Sequence, residues 1–296
     1  MKKRILAYLC AFALLLSVSA CAEGMTIVDM AGRESVFAAP VTRLVVLEAA
    51  DCEIIYALGA QDALVGRGEY CDYPAEALSL PSVQSGYEMN IEQIVALKPQ
   101  AAILPIMGQT KEQNAQLEAA GIHVVISNAQ EIADIYADIR MIGALMDKNA
   151  EAESLVASMK TEIESLAANA QKFEGKTVYF EVSPLEYGLW TAGKGTFMNE
   201  VAELLGLTNC FGDVDGWAAI SEEQVLARNP DYIVTISMYF GEGPTPTEEI
   251  LARPGWDSVT AVKNSAILNL QNDELSRPAP RIVDGVKLLH DFLMEN

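Results

Sequence analysis

The chain has 296 residues, 51% of them apolar, and a formal charge of −21. That length and apolar content allow two medium-sized cores. The acidity makes nucleic acid and anionic membrane surfaces poor partners, because both repel a negatively charged protein.

Residues 1–20 read as a secretory signal. Lys2, Lys3 and Arg4 form a basic end, and Ile5 to Leu16 form an apolar run too short to span a bilayer. Val18-Ser19-Ala20-Cys21 has the small residues of a bacterial lipobox, so Cys21 is the expected lipidation site. Plain cleavage after Ala20 is the alternative. Residues 21–41 read as a tether and a short hairpin.

From Arg43 the pattern is regular. Apolar runs of strand length at Arg43–Leu47, Ala63–Val65, Ala101–Leu104 and His123–Ile126 alternate with helical segments at Asp51–Leu58, Ile91–Leu97, Lys111–Ala119 and Ile132–Met146. Residues Gly66–Pro74 read as a loop. Short strands alternating with helices predict a parallel sheet covered on both faces, here over residues 42–146.

Asn149–Phe173 contains no Gly and no Pro. Ala152, Val156, Met159, Ile163, Leu166, Ala170 and Phe173 fall on one helical stripe, with charged residues elsewhere. Asp147 is the expected cap and Gly175 the expected stop, giving a connecting helix within 147–174, about 36 Å long. A coiled-coil seam is the alternative.

The alternation resumes over 175–296. Strands are expected at Thr177–Val182, Tyr232–Ile236 and Ala266–Leu270. Helices are expected at Thr196–Leu205, Glu222–Arg228, Thr247–Ala252 and Pro280–Met294. An internal repeat links the two parts: Glu92-Gln93-Ile94-Val95-Ala96-Leu97-Lys98-Pro99 matches Glu223-Gln224-Val225-Leu226-Ala227-Arg228-Asn229-Pro230. The expected fold is therefore α/β, two Rossmann-like lobes joined by one long α-helix.

In such sheets ligands bind where loops converge at the carboxyl ends of the strands. Those loops carry Glu48, Asp51, Arg67, Glu69, Tyr70 and Tyr87 in the first lobe, and Tyr187, Trp190, Trp217, Tyr239, Phe240, Asp273, Glu274 and Arg277 in the second. Aromatics there suit a large, flat, partly apolar ligand. Gly188 to Gly195 nearly spells a phosphate-binding loop, but Gly195 stands where Ser or Thr is needed, so a turn into the next helix is expected. With only His123 and His290, neither in a cleft loop, a multi-histidine metal site is not expected. No nucleophile–base pair points to an enzyme. Cys52, Cys71 and Cys210 read as small buried thiols, with a Cys52–Cys71 bridge as the alternative.

Together, the lipobox, two lobes, single connecting helix, Tyr70-Cys71-Asp72-Tyr73-Pro74, the two repeat segments, Gly195-Thr196-Phe197 and Arg277-Pro278-Ala279-Pro280-Arg281 resemble the substrate-binding proteins of ABC importers for cobalamin, haem and ferric siderophores. The resemblance implies the class III periplasmic-binding-protein fold and a monomer without catalysis or intrinsic cofactor, lipid-anchored outside the cytoplasm. It implies that Glu92 and Glu223, with Glu222 a neighbouring alternative, dock onto arginines of a permease dimer. For a cobalt corrinoid it places Tyr70, Trp190, Trp217, Asp273 and Arg277 at the ligand. Gly86 stands where those binders carry a tryptophan, with Tyr87 adjacent. For an anionic iron chelate it points to Arg67 and Arg277, and for haem to Tyr70, Tyr87 or Tyr239 as an iron ligand. A rigid connecting helix implies only modest lobe closure.

Overall fold

The computed structural model describes residues 24–237, 241, 243–270 and 273–296. The signal segment, Cys21, Tyr239 and Phe240 lie outside the described residues.

The chain opens with an antiparallel hairpin, β1 (Met25–Val28) and β2 (Glu34–Phe37). A five-stranded parallel sheet follows. It contains β3 (Leu44–Val46), β4 (Leu64–Gly68), β5 (Ser82–Val83), β6 (Ala101–Pro105) and β7 (His123–Ser127), in the order β5-β4-β3-β6-β7. Helices α1 (Ala49–Ala57), α2 (Ile91–Ala96), α3 (Lys111–Ala119) and α4 (Ile132–Leu145) cover it. The apolar runs divide between the two faces with the two-residue period of a strand. Leu44, Val46 and Ile103 enter one core, and Val45, Ala102 and Leu104 enter the other.

The connecting helix is α5 (Asn149–Ala167), at about 1.5 Å per residue some 28 Å long rather than 36. It is shorter than its sequence pattern because the chain tightens into a 3-10 turn at Ala170–Phe173 before Gly175 reverses it. Asp147 does not cap it: that residue is itself left-handed (φ 56°), and Lys148 precedes the first turn without a side-chain cap. Most of the stripe is as expected: Ala152, Val156, Met159, Ile163 and Phe173 are buried, while Leu166 and Ala170, at the end where the helix gives way to the 3-10 turn, are half-buried. They pack between α4 and the last helix, α10 (Ile282–Glu295), inside the same core that takes in Val46 and Val234. Gly143 of α4 allows the close approach, since a Cβ there would sit 2.6 Å from the Cβ of Ala152.

The second lobe has a four-stranded parallel sheet in the order β10-β8-β12-β13, from β8 (Thr177–Glu181), β10 (Thr208–Asn209), β12 (Tyr232–Thr235) and β13 (Ile267–Asn269). Its helices before α10 are α6 (Phe197–Leu204), α7 (Glu222–Arg228), α8 (Pro246–Leu251) and α9 (Thr260–Lys263). Two strands appear where the sequence suggests loops: β9 (Trp190–Ala192) pairs antiparallel with β11 (Trp217–Ala219). Three residues are too few for alternation to register, and the pairing is set by Gly193, whose missing side chain admits the Val214 carbonyl. The glycine-rich stretch then turns into α6, where Thr196 Oγ1 accepts from Asn199 N at 3.2 Å.

The sequence repeat is also a structural one. Asn90 Oδ1 accepts from Gln93 N at 3.0 Å at the start of α2, and Ser221 Oγ accepts from Gln224 N at 3.4 Å at the start of α7. Each helix ends on a left-handed residue, Lys98 (φ 50°) or Asn229 (φ 46°), followed by a proline and a central strand.

Candidate binding cleft

The carboxyl ends of β3, β4, β6 and β7 lead into Glu48, Glu69–Tyr70, Ile106–Met107 and Asn128–Gln130. On the other lobe, β8 and β13 lead toward Tyr187 and toward Asp273–Arg277. Apolar and aromatic side chains there stand in solvent: Tyr70 is 72% exposed, Tyr87 74%, Met107 72%, Tyr187 77% and Trp190 42%. Large uncovered aromatics around strand ends are the surface that a bulky apolar ligand would cover. Tyr87 sits in a 3-10 turn, Gly86–Glu88, and its carbonyl accepts from Gln113 Nε2 at 3.0 Å.

Other sequence-predicted residues are already engaged. Trp217 is half-buried, with its ring 5.6 Å from Phe197, and its Nε1 donates to Gln130 Oε1 of the first lobe at 3.3 Å. It ties the lobes together. Arg67 lies within β4 rather than in a loop, because that strand runs on to Gly68. It is 8% exposed, and its Nη1 donates to the carbonyls of Gly68 at 2.9 Å and Glu69 at 3.2 Å. Arg277 pairs with Asp273 at 2.8 Å, Asp72 at 2.8 Å and Glu53 at 3.2 Å. Arg281 pairs with Glu53 at 2.6 Å and stacks 3.7 Å from the Tyr73 ring centre. The arginines suggested for an anionic ligand thus face carboxylates or main-chain carbonyls.

The carboxyl groups at the first-lobe strand ends are different. A cavity of about 150 Å³ opens there, lined by Glu48, Asp51, Asn128, Gln130 and Asp138 among others, with Pro278 of the second lobe on its wall. Asp51 and Asp138 are buried, and among the described residues neither oxygen of Asp51 nor Oδ1 of Asp138 has a well-formed hydrogen bond; the two carboxyl groups face each other, with the Ser127 hydroxyl beside Asp51. Burial drives the Asp51 carboxyl well above its usual range, and the neighbouring charge of Asp138 adds to it; the Ser127 hydroxyl opposes the rise and is outweighed. Burial likewise pushes Asp138 up to about 6, and raises Glu48. By contrast, the buried Glu181 at the end of β8 is clasped by Arg253 at 2.6 and 2.8 Å.

Asp138 is the residue that sequence reasoning missed. Its signal was present: it is an acid on the stripe of Ile135, Ile139 and Ile142, the buried face of α4. Glu53 was missed in the same way, within the buried run Asp51 to Ile55.

Glu92 and Glu223 are exposed and occupy the second position of α2 and α7, the matched helices of the repeat. Hydrogen bonding with the Ser221 side chain holds the Glu223 carboxyl below the usual range. Cys52, Cys71 and Cys210 are free thiols, so the alternative Cys52–Cys71 bridge is not formed. Burial pushes the Cys210 thiol up to about 12. Among the described residues, no helix is long and apolar enough to cross a membrane.

The chain matches the periplasmic binding protein family over residues 44–274. It is 31% identical over 275 residues to a Bacillus subtilis protein, YvrC, described as an uncharacterized ABC transporter substrate-binding lipoprotein; the match covers 91% of this chain and 85% of that one. It is 30% identical to the vitamin B12-binding protein of Salmonella typhimurium, over 88% of this chain and 92% of that protein. A solved structure from Saccharomonospora viridis, titled as an ABC-type Fe3+-hydroxamate transport system, superposes with a TM-score of 0.76 at 27% identity, covering 91% of this chain and 99% of that one. By family match and by kinship, this chain belongs to the periplasmic binding proteins.

Proposed function

We propose that the chain is the lipid-anchored, extracytoplasmic receptor of an ABC importer, tethered through Cys21. It captures a large metal chelate, first of all a corrinoid, between its lobes and hands it to the permease. It binds and releases; no bond is made or broken. The observation that carries this reading is the uncovered aromatic set Tyr70, Tyr87, Tyr187 and Trp190 at the strand ends. A flat macrocycle would cover these rings with little loss of side-chain freedom. The kinship with a vitamin B12-binding protein supports the corrinoid. The likeness to an Fe3+-hydroxamate transport structure supports a ferric hydroxamate as the second reading. Glu92 and Glu223, one per lobe in matched frames, suit docking onto a symmetric permease, because exposed carboxylates pair with arginines in two-pronged geometry.

The test is a titration of the full-length chain in mild detergent with cyanocobalamin, ferric hydroxamates and haemin, followed by tryptophan quenching and by heat. Micromolar or tighter cobalamin binding is expected. Preference for a hydroxamate would keep the receptor and change its cargo. Failure to bind any chelate would overturn the reading.

A further inference from the structure

We infer that the cavity holding Glu48, Asp51 and Asp138 is a subsite for an N–H-bearing side arm of the bound chelate, a carboxamide or an ammonium group, and that it turns away chelates whose arm is a carboxylate. This rests on reading the cleft as a chelate-binding site and names the polarity of the cargo.

Location comes first. The cavity lies where β3, β6 and β7 end, and Pro278 of the second lobe contributes to its wall, so it is part of the cleft. Among the described residues, its lining contains three acids and no Lys, Arg or His. Of the two lining amides, Gln130 already donates from Nε2 to Asn128 Oδ1 at 3.1 Å, and neither carries a charge that would offset the acids. Asp51 is completely buried, and among the described residues neither of its oxygens has a well-formed hydrogen bond, with Asp138 and the Ser127 hydroxyl as its near polar neighbours. Buried acceptors in proteins are nearly always satisfied, so a buried carboxyl left open beside a cavity marks the place of a donor that arrives with the ligand.

The nearby cations do not reverse the field. Arg277, which acts on Glu48 across the gap, is already shared among Glu53, Asp72 and Asp273. Arg67 is turned onto backbone carbonyls. Nor do the acids form a metal cage: among the described residues, no three of His, Cys, Asp and Glu are arranged to hold an ion. With about 150 Å³, the cavity admits an acetamide, propionamide or aminoalkyl arm and excludes a macrocycle. A carboxylate arm would be buried beside the Glu48 and Asp138 carboxyl groups with no Lys, Arg or His in the described lining to balance it, which is costly.

The experiment compares matched chelates on the full-length chain in detergent. One pair is cyanocobalamin against its monocarboxylates, in which a single side-chain amide has been hydrolysed. The other is ferrioxamine B, which ends in an ammonium group, against its succinylated, carboxylate-ended form. The cargo class is read from which pair binds. Within that pair the N–H form should bind about tenfold or more tightly, and for cobalamin the loss should be confined to particular amide positions. Asp51→Asn and Asp138→Asn, made singly, should shrink that ratio to about threefold or less, because an amide side chain can donate to the carboxylate arm. If a variant does not fold, the comparison on the wild-type chain decides alone. Equal affinity for both members of the pair, or an undiminished ratio in both folded variants, would overturn the subsite and leave the receptor standing. So would a preference for haemin with its two propionates. A chain that binds no chelate of either charge would overturn the receptor reading itself, and the subsite with it.

Discussion

Glu53 of the first lobe accepts from Arg281 of the second at 2.8 and 2.6 Å, and from Arg277 at 3.2 Å. The carboxylate is almost wholly covered, so this is a buried ionic clasp between the lobes rather than a surface pair. Removing one partner of such a clasp leaves uncompensated charge. Glu53→Ala should therefore lower unfolding stability by about 3–5 kcal/mol in a urea titration, and adding Arg281→Met should restore part of it. A loss under about 1 kcal/mol would show that solvent reaches the clasp.

The connecting helix offers a sharper contrast on one element. Ile163→Ala, on the buried stripe, should cost about 2–5 kcal/mol, while Glu164→Ala, its exposed neighbour, should stay within about 0.5 kcal/mol. Equal effects would mean that α5 does not bury the face assigned to it.

The two tryptophans near the cleft should separate by readout. Trp190→Ala removes a partly exposed ring, 42% open to solvent, and should weaken chelate binding by about tenfold with a smaller change in stability than Trp217→Ala. Trp217→Ala removes a ring packed on Phe197 and a hydrogen bond to Gln130, and should cost about 3 kcal/mol of stability. Binding isotherms and urea curves on the same preparations check both.

Glu92→Ala with Glu223→Ala should abolish uptake of the cargo by cells while leaving the affinity of the isolated receptor unchanged. Both residues are exposed at helix starts and support no packing, so a fall in affinity would place them at the ligand rather than at the permease.

The buried acids set a pH dependence with a definite sign. Asp138, raised from 3.8 to about 6 by burial, keeps a proton in the folded chain that the unfolded chain has already lost. Glu48 and Asp134 face it and push the same way, while the hydrogen bond with Asp51 opposes the rise. Between about pH 4 and 6 the folded state binds more protons than the unfolded one, so stability falls as pH rises through that window. Asp138→Asn should flatten the slope and leave the ligand-free chain more stable than wild type at pH 7.5, by on the order of 2 kcal/mol. Thermal melts from pH 4 to 8 would show it; a parallel slope in the variant would assign the dependence elsewhere.

Much of the fold was legible because local and global signals agreed. Lys111–Ala119 and Glu222–Arg228 begin and end where their caps and apolar spacing put them. The repeat around Glu92 and Glu223 located the equivalent helix in each lobe. What the sequence hid is the direction in which a polar side chain turns. Arg67 and Trp217 have the composition of ligand contacts, yet one folds onto its own strand and the other bonds across to Gln130, because partners distant in sequence decide. Strands β9 and β11 escaped for a related reason: at three residues each, they owe their existence to one another and to the backbone contact at Gly193.

The apolar core that runs from Val46 through Val156 and Ile163 to Val234 and Leu289 has no gap at the connecting helix. Neither half of the molecule owns that core. A fragment ending after α5 would present the bare stripe to water, and a fragment beginning there would lack the α4 surface that the stripe needs. The chain should accordingly melt as one cooperative unit in calorimetry, and its halves should not be exchangeable with those of a relative unless the helix and both of its neighbours travel together.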